Sequence, residues 1–279
     1  MPIQALLVSV AERDEDQASA ILWELETLGV EVQGGPPGES RLLAYFTAAD
    51  GLLERLREAL AKLPLARVEP SAIPDVDWVA RFRQNFRGFD VGNFRVAPPW
   101  DPPASLLPRQ RLILVDPGRA FGTGTHETTG LCLRAIEQIF ADRAPRRVVD
   151  VGTGTGILAI ACALLGAPDV TGIENDPEAL ESARGHAERN GVAVVLRLGD
   201  GGRGLEPAAY DLVLANLTAP LLCERADELA RLARPDGELL LSGLLAEEAP
   251  GVIAAYQAFG AVLQTDDGEW ASLRLRFPA

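Results

Sequence analysis

The spacing of apolar residues in the first 72 positions changes between two periods, and each period predicts a type of element. Short apolar runs, bounded by Gly and Pro turns, predict strands at Ile3–Val10, Val30–Gln33, Arg41–Thr47 and Leu65–Glu69. Apolar residues three and four positions apart predict amphipathic helices at Asp14–Leu28 and from Leu52 to Leu63. The resulting order β-α-β-β-α-β is that of a small α+β unit of the ferredoxin-like type.

From residue 111 onward, strand patterns alternate with helix patterns. Strands are predicted at Leu112–Val115, Val148–Val151, Val170–Glu174, Val194–Leu198, Asp211–Leu214 and Glu238–Ser242. Helices are predicted at Thr128–Phe140, Ile157–Leu165, Pro177–Asn190, Leu221–Ala233 and Ala246–Phe259, and a terminal hairpin at Val262–Thr265 and Ala271–Phe277. This alternation predicts a layered α/β domain whose sheet is parallel apart from the terminal hairpin.

A less regular stretch, residues 73–108, separates the two patterned regions. It contains Trp78, arginines alternating with aromatic residues up to Phe89, and four prolines between Pro98 and Pro103. We interpret it as a linker with a short helix near residues 75–87 and an extended connection after it. The predicted organisation is therefore a recognition domain at 1–72, a linker at 73–108 and a second domain at 109–279.

The charge distribution limits the classes of partner. The chain has 279 residues and a net charge of −14, which argues against broad, nonspecific binding to nucleic acid. Basic residues outnumber acidic ones only between residues 78 and 147. Two interpretations of this basic segment stay open: a weak contact with an anionic surface such as ribosomal RNA, or arginines and aromatic side chains that pack the linker.

The sequence has no feature typical of a membrane protein, a secreted protein or a metal site. Every apolar run is shorter than a membrane span requires, and no basic segment of a secretory signal is present, so we expect a cytoplasmic protein with no membrane partner. The three cysteines share no metal-type spacing, and we expect buried, reduced thiols and no metal site.

A glycine-rich turn follows the predicted strand Val148–Val151. Gly152, Gly154 and Gly156 have the spacing G-x-G-x-G, which is shorter than the G-x-G-x-x-G of dinucleotide-binding folds. A pyrophosphate needs the longer turn, whereas the shorter one suits the aminoacyl end of S-adenosylmethionine. Glu174 ends the next strand 22 residues after Gly152, where a carboxylate can accept hydrogen bonds from both ribose hydroxyls. The alternatives are glycines required only for packing and an ordinary surface glutamate.

Two further polar residues follow predicted strands. Asp200 comes after Val194–Leu198 and either accepts from the adenine amino group or is a simple turn residue. Asn216 follows Asp211–Leu214, at the edge where a doubly wound sheet opens its crevice. A buried amide there can orient the aminoacyl group of the cofactor or an incoming amine, although strand-end asparagines are also ordinary turn formers.

The segment from Val115 to Thr129 combines glycines, one phenylalanine, several hydroxyl groups and His126. This composition is typical of a loop that covers a small ligand. His186 is the only other histidine, and no Cys–His or Glu–His spacing fits a zinc site or a catalytic triad. We therefore expect a structural role for His126.

Four segments together resemble one family. Ala120–Thr129, Asp150–Ile160, Gly172–Pro177 and the neighbours of Asn216 are similar to the bacterial ribosomal protein methyltransferase A family, which methylates the eleventh protein of the large ribosomal subunit. The similarity covers residues 78–279 well and the first unit at the level of pattern. Departures are Thr153, Thr155 and Glu174, where the family usually has Cys, Ser and Asp, and Leu-Thr-Ala after Asn216.

The resemblance implies a class I, Rossmann-like methyltransferase sheet with helices on both faces, preceded by the ferredoxin-like domain as a substrate-recognition unit. It implies S-adenosylmethionine as cofactor, a large-subunit ribosomal protein as substrate, and a monomer. Thr129, Gly152, Glu174 and Asn216 match the family's cofactor-contacting positions, and Asn216 is also expected to orient the substrate amine.

Two rival hypotheses stay open from the sequence. The first is a class I methyltransferase with another acceptor, a small molecule or RNA. The second is a noncatalytic adenosine-binding module that docks on the ribosome. The Asn-Pro-Pro-Tyr motif of glutamine and adenine amino methyltransferases is absent, since Asn216 is followed by Leu-Thr-Ala. The glycine spacing disfavours a nicotinamide dehydrogenase.

Overall fold

The chain divides into two compact units, Met1–Asp77 and Trp78–Ala279. The structure is a computed structural model, and it describes residues 3–25, 27–36, 38–49, 51–63, 65–71, 88–116 and 127–278. The predicted linker helix near residues 75–87 and the His126 loop lie outside these ranges.

The first unit is a four-stranded antiparallel sheet with two helices. Its elements are β1 (Ile3–Ala11), α1 (Glu15–Glu24), β2 (Gly29–Gly34), β3 (Glu39–Thr47), α2 (Leu52–Ala59) and β4 (Arg67–Ser71). The sheet order β2-β3-β1-β4, with every pair antiparallel, confirms the ferredoxin-like prediction. Leu6, Leu22, Leu42 and Leu56 form its separate hydrophobic core.

A small sheet precedes the main one in the second unit. It consists of β5 (Phe89–Val91), β6 (Phe94–Ala97) and β7 (Arg111–Leu114), with β6 parallel to β7 and antiparallel to β5. The prediction of an extended connection is therefore wrong for Phe89–Ala97, because Phe94 and Val96 alternate into the hydrophobic core. The strand predicted at Leu112–Val115 also pairs here and not in the main sheet. The boundaries of the predicted linker stay a prediction.

The main sheet has seven strands in the order β10-β9-β8-β11-β12-β14-β13. They are β8 (Arg147–Val151), β9 (Asp169–Glu174), β10 (Val195–Leu198), β11 (Tyr210–Asn216), β12 (Ala233–Leu245), β13 (Ala261–Asp267) and β14 (Trp270–Arg276). The first five are parallel and the terminal hairpin is antiparallel, as predicted.

Helices cover both faces of this sheet. They are α3 (Glu127–Asp142), α4 (Ile157–Leu164), α5 (Pro177–Arg189), α6 (Ala219–Glu224), α7 (Ala226–Ala230) and α8 (Ala249–Tyr256). Val148 packs in one cluster with α3 and α4, whereas its neighbour Val149 packs in another with α6 to α8. Successive side chains of a strand point to opposite faces, so these clusters mark the two layers.

Two local predictions differ from the structure. The helix predicted at Leu221–Ala233 is two short helices, because the backbone of Arg225 leaves the helical region at φ −99° and ψ 13°. Cys132 and Cys162 are buried, but Cys223 is exposed because it lies on the outer side of α6. Among the described helices, none combines the length and apolar character needed to cross a membrane.

The strand order creates a switch point in the middle of the sheet. The chain runs from β8 outward through β9 to β10, and then returns to place β11 on the other side of β8. In open α/β sheets, the crevice beyond the carboxyl ends of the strands at such a point is the usual place for a ligand.

Candidate functional site

A cavity of about 260 Å³ lies beyond the carboxyl ends of β8, β9, β10 and β11. Six of the seven residues predicted from the sequence line it: Thr129, Gly152, Gly154, Glu174, Asp200 and Asn216. Ile157, Leu158, Ile173, Leu217 and Leu221 add apolar walls. The cavity thus brings together residues that lie up to 96 positions apart in the chain.

Gly156 is the predicted residue that the structure does not bring to the cavity. It precedes α4 with φ +81°, and a Cβ there would lie 3.2 Å from the Cβ of Ala183 on α5. Glycine at this position therefore serves helix packing. Its assignment to cofactor contact finds no support in the geometry.

The first part of the turn is held against β9. The backbone N–H groups of Gly152 and Thr153 both donate to the carbonyl oxygen of Ile173, each at 2.9 Å. Gly152 has φ +73°, and a Cβ there would lie 2.6 Å from Cδ2 of Leu217. Since Leu217 lines the cavity, glycine is required for the turn to approach this wall so closely.

Glu174 lines the cavity and also accepts a hydrogen bond from the glycine-rich turn. Its Oε2 accepts from the backbone N–H of Gly154 at 2.8 Å, and its Oε1 accepts from the N–H groups of Asn175 and Asp176 at 2.9 and 3.1 Å. A carboxylate has roughly four acceptor positions. Three of these positions are filled by backbone N–H groups, so one remains for a ribose hydroxyl. The sequence predicted hydrogen bonds to both ribose hydroxyls, and a second one would have to displace a backbone donor.

Asp150, at the end of β8, is a site residue that the sequence analysis did not single out. It is 1% exposed and lines the cavity. Its Oδ2 accepts from the hydroxyl of Thr153 at 2.6 Å. Burial raises the pKa of the Asp150 carboxyl to about 6, and the hydroxyl of Thr153 and the nearby backbone N–H of Ala159 oppose that shift. The available signal was an acidic residue inside the apolar run Val148-Val149-Asp150-Val151.

Three buried oxygen atoms without a hydrogen-bond partner in the described protein line this one cavity. They are Oγ1 of Thr129, Oδ1 of Asp150 and Oδ1 of Asn216. A buried polar atom that lacks a partner costs about 1–3 kcal/mol of stability. Such atoms are rare in folded proteins, and three in one cavity indicate a site for a ligand with several hydrogen-bond donors.

The position of Asn216 depends on a glycine of the neighbouring strand. Gly243 of β12 has φ +87°, and a Cβ there would lie 2.5 Å from the carbonyl oxygen of Leu217 and 2.9 Å from Oδ1 of Asn216. The N–H of Leu217 also donates to the carbonyl oxygen of Ser242 at 2.9 Å. Nothing in the sequence marks Gly243, because its role arises from pairing between β11 and β12.

Asp200 lines the cavity and forms an ion pair with Arg225. Its Oδ1 lies 2.6 Å from Nη2 of Arg225, which lines the cavity too. The Asp200 side chain is 50% exposed and that of Arg225 is 16% exposed. Asp200 is therefore fixed by a partner on the segment after β11, and Arg225 is a second residue that the sequence analysis missed.

His186 has a structural role beside the cavity. Its Nε2 accepts from the backbone N–H of Asp116 at 2.9 Å, and its Nδ1 lies 2.9 Å from the carbonyl oxygen of Thr155, to which it donates in this tautomer. Burial lowers the pKa of His186 and favours the neutral ring that this arrangement needs. The ring thus joins α5 to the glycine turn and to Asp116, the second residue after β7.

The strand order, the short glycine turn and the cavity at the switch point define the class of this protein as a class I methyltransferase. Comparison with known proteins agrees and narrows the class. A family model for ribosomal protein L11 methyltransferases (PrmA) matches residues 3–278. The chain belongs to the ribosomal protein L11 methyltransferase family.

Individual relatives align with between 70% and 98% of this chain. A ribosomal protein L11 methyltransferase of Myxococcus xanthus is 33% identical over 285 aligned positions, which cover 98% of each chain. One of Geobacter sulfurreducens is 40% identical over 84% of this chain and 80% of its own length. The solved structure of a ribosomal protein L11 methylase from Lactobacillus delbrueckii subsp. bulgaricus superposes with a TM-score of 0.63 and 28% identity, covering 70% of this chain and 99% of that one.

Proposed function

We propose that this protein transfers methyl groups from S-adenosylmethionine to amino groups of ribosomal protein L11, on lysine side chains or at the N-terminus. Membership in the family supports the reaction and the substrate. The observation that carries the site is the set of three unpartnered oxygens on Thr129, Asp150 and Asn216, in a cavity next to the glycine turn.

The polar groups follow the strand order along the sheet edge. Asp200, Glu174, Gly152 and Asn216 follow or end β10, β9, β8 and β11, which are adjacent strands. Strands lie about 4.8 Å apart, so these four positions extend over about 14 Å. This row suits a long ligand with its adenine at Asp200, its ribose at Glu174 and its aminoacyl end between Gly152 and Asn216.

The aminoacyl end carries an ammonium group with three hydrogen-bond donors, and the unpartnered oxygens are suited to it. Oδ1 of Asp150 supplies the negative charge, and the oxygens of Thr129 and Asn216 supply further acceptor positions. The Asp150 carboxylate is kept in place by the hydroxyl of Thr153. The residues present therefore fit this cofactor.

The residues do little covalent chemistry, because the cofactor supplies the methyl group on a sulfonium, which is already a good leaving group. Their part is to align the groups and to exclude water. Lysine has a pKa of about 10.4 in water, and the apolar wall of Leu217 and Leu221 favours its neutral form. Oδ1 of Asn216 can accept two hydrogen bonds, so it can orient the substrate amine while it contacts the cofactor.

The proposal also covers how the protein binds its substrate, whether it contacts RNA, and where it acts. The ferredoxin-like unit, with its own core and no cluster of reactive side chains among its described residues, serves as a grip on L11. The arginines between residues 78 and 147 provide a weak contact with ribosomal RNA. The protein acts as a monomer, in the cytoplasm where its ribosomal substrate is made.

Incubation with labelled S-adenosylmethionine and ribosomal extract from cells that lack this activity tests the proposal. We expect the label in the L11 band, and far less label with Asn216→Ala. The control is Gln264→Ala, on the exposed surface of β13, which should label L11 as the wild type does. Label in RNA or in a small molecule, or equal labelling by Asn216→Ala, would contradict the proposal.

A further inference from the structure

The loop that carries Asp200 consists almost entirely of glycine. Gly199, Asp200, Gly201 and Gly202 follow β10, and Gly201 has φ +68°. Glycines supply no side chains to pack and lose the most backbone entropy on folding. Such a loop does not hold its one carboxylate in place by itself, so its order depends on contacts from elsewhere in the fold.

Three charged side chains from the segment after β11 contact this loop. Nη2 of Arg225 lies 2.6 Å from Oδ1 of Asp200, Oε1 of Glu228 accepts from the N–H of Gly202, and Nη2 of Arg231 donates to the carbonyl oxygen of Gly202 at 3.2 Å. Glu228 lies within α7, and Arg225 and Arg231 are the residues that flank this helix. We call Arg225, Glu228 and Arg231 the loop clamp.

The clamp lies directly against the loop backbone. A Cβ on Gly201 would overlap both Nη1 of Arg225 and Oε1 of Glu228, and one on Gly202 would lie 2.7 Å from Cδ1 of Leu232. The side chains of Arg225 and Glu228 are only 16% and 20% exposed. A side chain at 201 or 202 would displace the ends of these side chains, so the two glycines allow this close contact. The ion pair is partly shielded from water.

We propose that Arg225 is the positioning residue for recognition of the adenine base: by holding Oδ1 of Asp200, it directs Oδ2 toward the amino group of the base. This proposal rests on the proposed function, because it assumes an adenosine cofactor at this end of the cavity. No hydrogen bond to Oδ2 of Asp200 is found within the described part of the chain. Fixing one oxygen of a carboxylate fixes the direction of the other, so Arg225 acts through Asp200.

The proposal predicts a loss of selectivity that a purely structural role would not cause. A useful probe pair is S-adenosylhomocysteine and its analogue with purine in place of adenine, which lacks only the amino group. A hydrogen bond to a charged acceptor corresponds to about tenfold or more in affinity. We therefore expect the wild type to prefer S-adenosylhomocysteine by about that factor.

Calorimetry on the full-length protein gives the test. Arg225→Ala should lose most of the preference, Asp200→Ala should lose it equally, and the double variant should lose no more than either single variant, because the two residues act as one unit. Arg203→Ala is the matched control: it removes an exposed arginine next to the same loop and should keep the preference. Arg225→Lys, which keeps the charge but not the two-pronged geometry, should lose part of it.

Several results would overturn the proposal. An unchanged preference in Arg225→Ala, with both affinities reduced alike, would limit Arg225 to a structural role. Additive losses in the double variant would show that the residues act separately.

A wild type that binds both ligands equally would show that Asp200 does not contact the amino group of the base, but it would leave the proposed function intact. A wild type that binds neither ligand would contradict the proposed function itself. If Arg225→Ala does not fold, Arg225→Lys and Glu228→Gln decide between these outcomes.

Discussion

At the scale of single residues, we expect Asp150 to give cofactor binding a dependence on pH. Burial raises the pKa of its carboxyl to about 6. Under the proposed function, the ionised carboxylate binds the cofactor ammonium more strongly than the neutral carboxyl does. The affinity for S-adenosylhomocysteine should therefore be constant well above pH 6 and fall as the pH drops below it, by up to about tenfold per pH unit. Calorimetry across this range measures the effect.

Two variants separate Asp150 from other titrating groups. Asp150→Asn should bind more weakly at neutral pH and lose the dependence near pH 6. Thr153→Val removes the hydrogen bond that lowers the pKa of Asp150, so the fall in affinity should begin at a higher pH. A wild-type curve without any change near pH 6 would show that the ionisation of Asp150 does not govern binding.

The residues that the sequence places at the cavity are those where a motif and a strand end coincide. Gly152, Glu174 and Asn216 each follow or end an apolar strand, and parallel strands bring their carboxyl ends to one edge. Arg225 and Gly243 could not be found in this way. Their roles come from contacts with Asp200 and Asn216 that exist only after the sheet has formed.

At the scale of elements, the pairing of β11 with β12 positions Asn216. Gly243→Ala would place a Cβ 2.9 Å from Oδ1 of Asn216, in a left-handed backbone conformation. We expect a loss of about 1–3 kcal/mol in the free energy of unfolding and at least a tenfold loss in the rate of methyl transfer. Denaturant unfolding and a methylation assay on the same preparation check both values.

The control for this change is another Gly→Ala substitution. Gly251 lies in α8, and a Cβ there would meet nothing within 4 Å. Gly251→Ala should leave methyl transfer unchanged and stabilise the protein by up to about 1 kcal/mol. Full activity in Gly243→Ala would mean that the methyl transfer does not depend on where the amide of Asn216 lies.

Helices and strands can be predicted where the spacing of apolar residues keeps one period along the whole element. The parallel strands and the terminal hairpin follow from their patterns, but the pairing partner of β7 does not. Its four residues, Arg111–Leu114, look the same whether they join the main sheet or pair with β6. The prolines after residue 97 predict a linker, whereas Phe94 and Val96 just before them alternate as the residues of a strand do.

At the scale of the whole molecule, we expect the two units to divide cofactor binding from substrate recognition. The second unit contains every residue that lines the cavity and has hydrophobic clusters of its own. A fragment of residues 78–279 should therefore bind S-adenosylhomocysteine nearly as the full chain does, but lose most of its methylation of L11. Calorimetry and a methylation assay on one fragment preparation test the two halves of this prediction. Efficient methylation of L11 by the fragment would remove the recognition role from the first unit.

We propose that methyl groups are transferred to L11 in the cavity at the switch point of the sheet. Mass spectrometry of purified, unmethylated L11 after incubation with S-adenosylmethionine and this protein tests it most directly. The account predicts that the wild type adds whole methyl increments to L11 amino groups, and that Asn216→Ala adds few or none while it remains folded. L11 of unchanged mass after incubation with a folded wild type that binds S-adenosylmethionine would contradict the account.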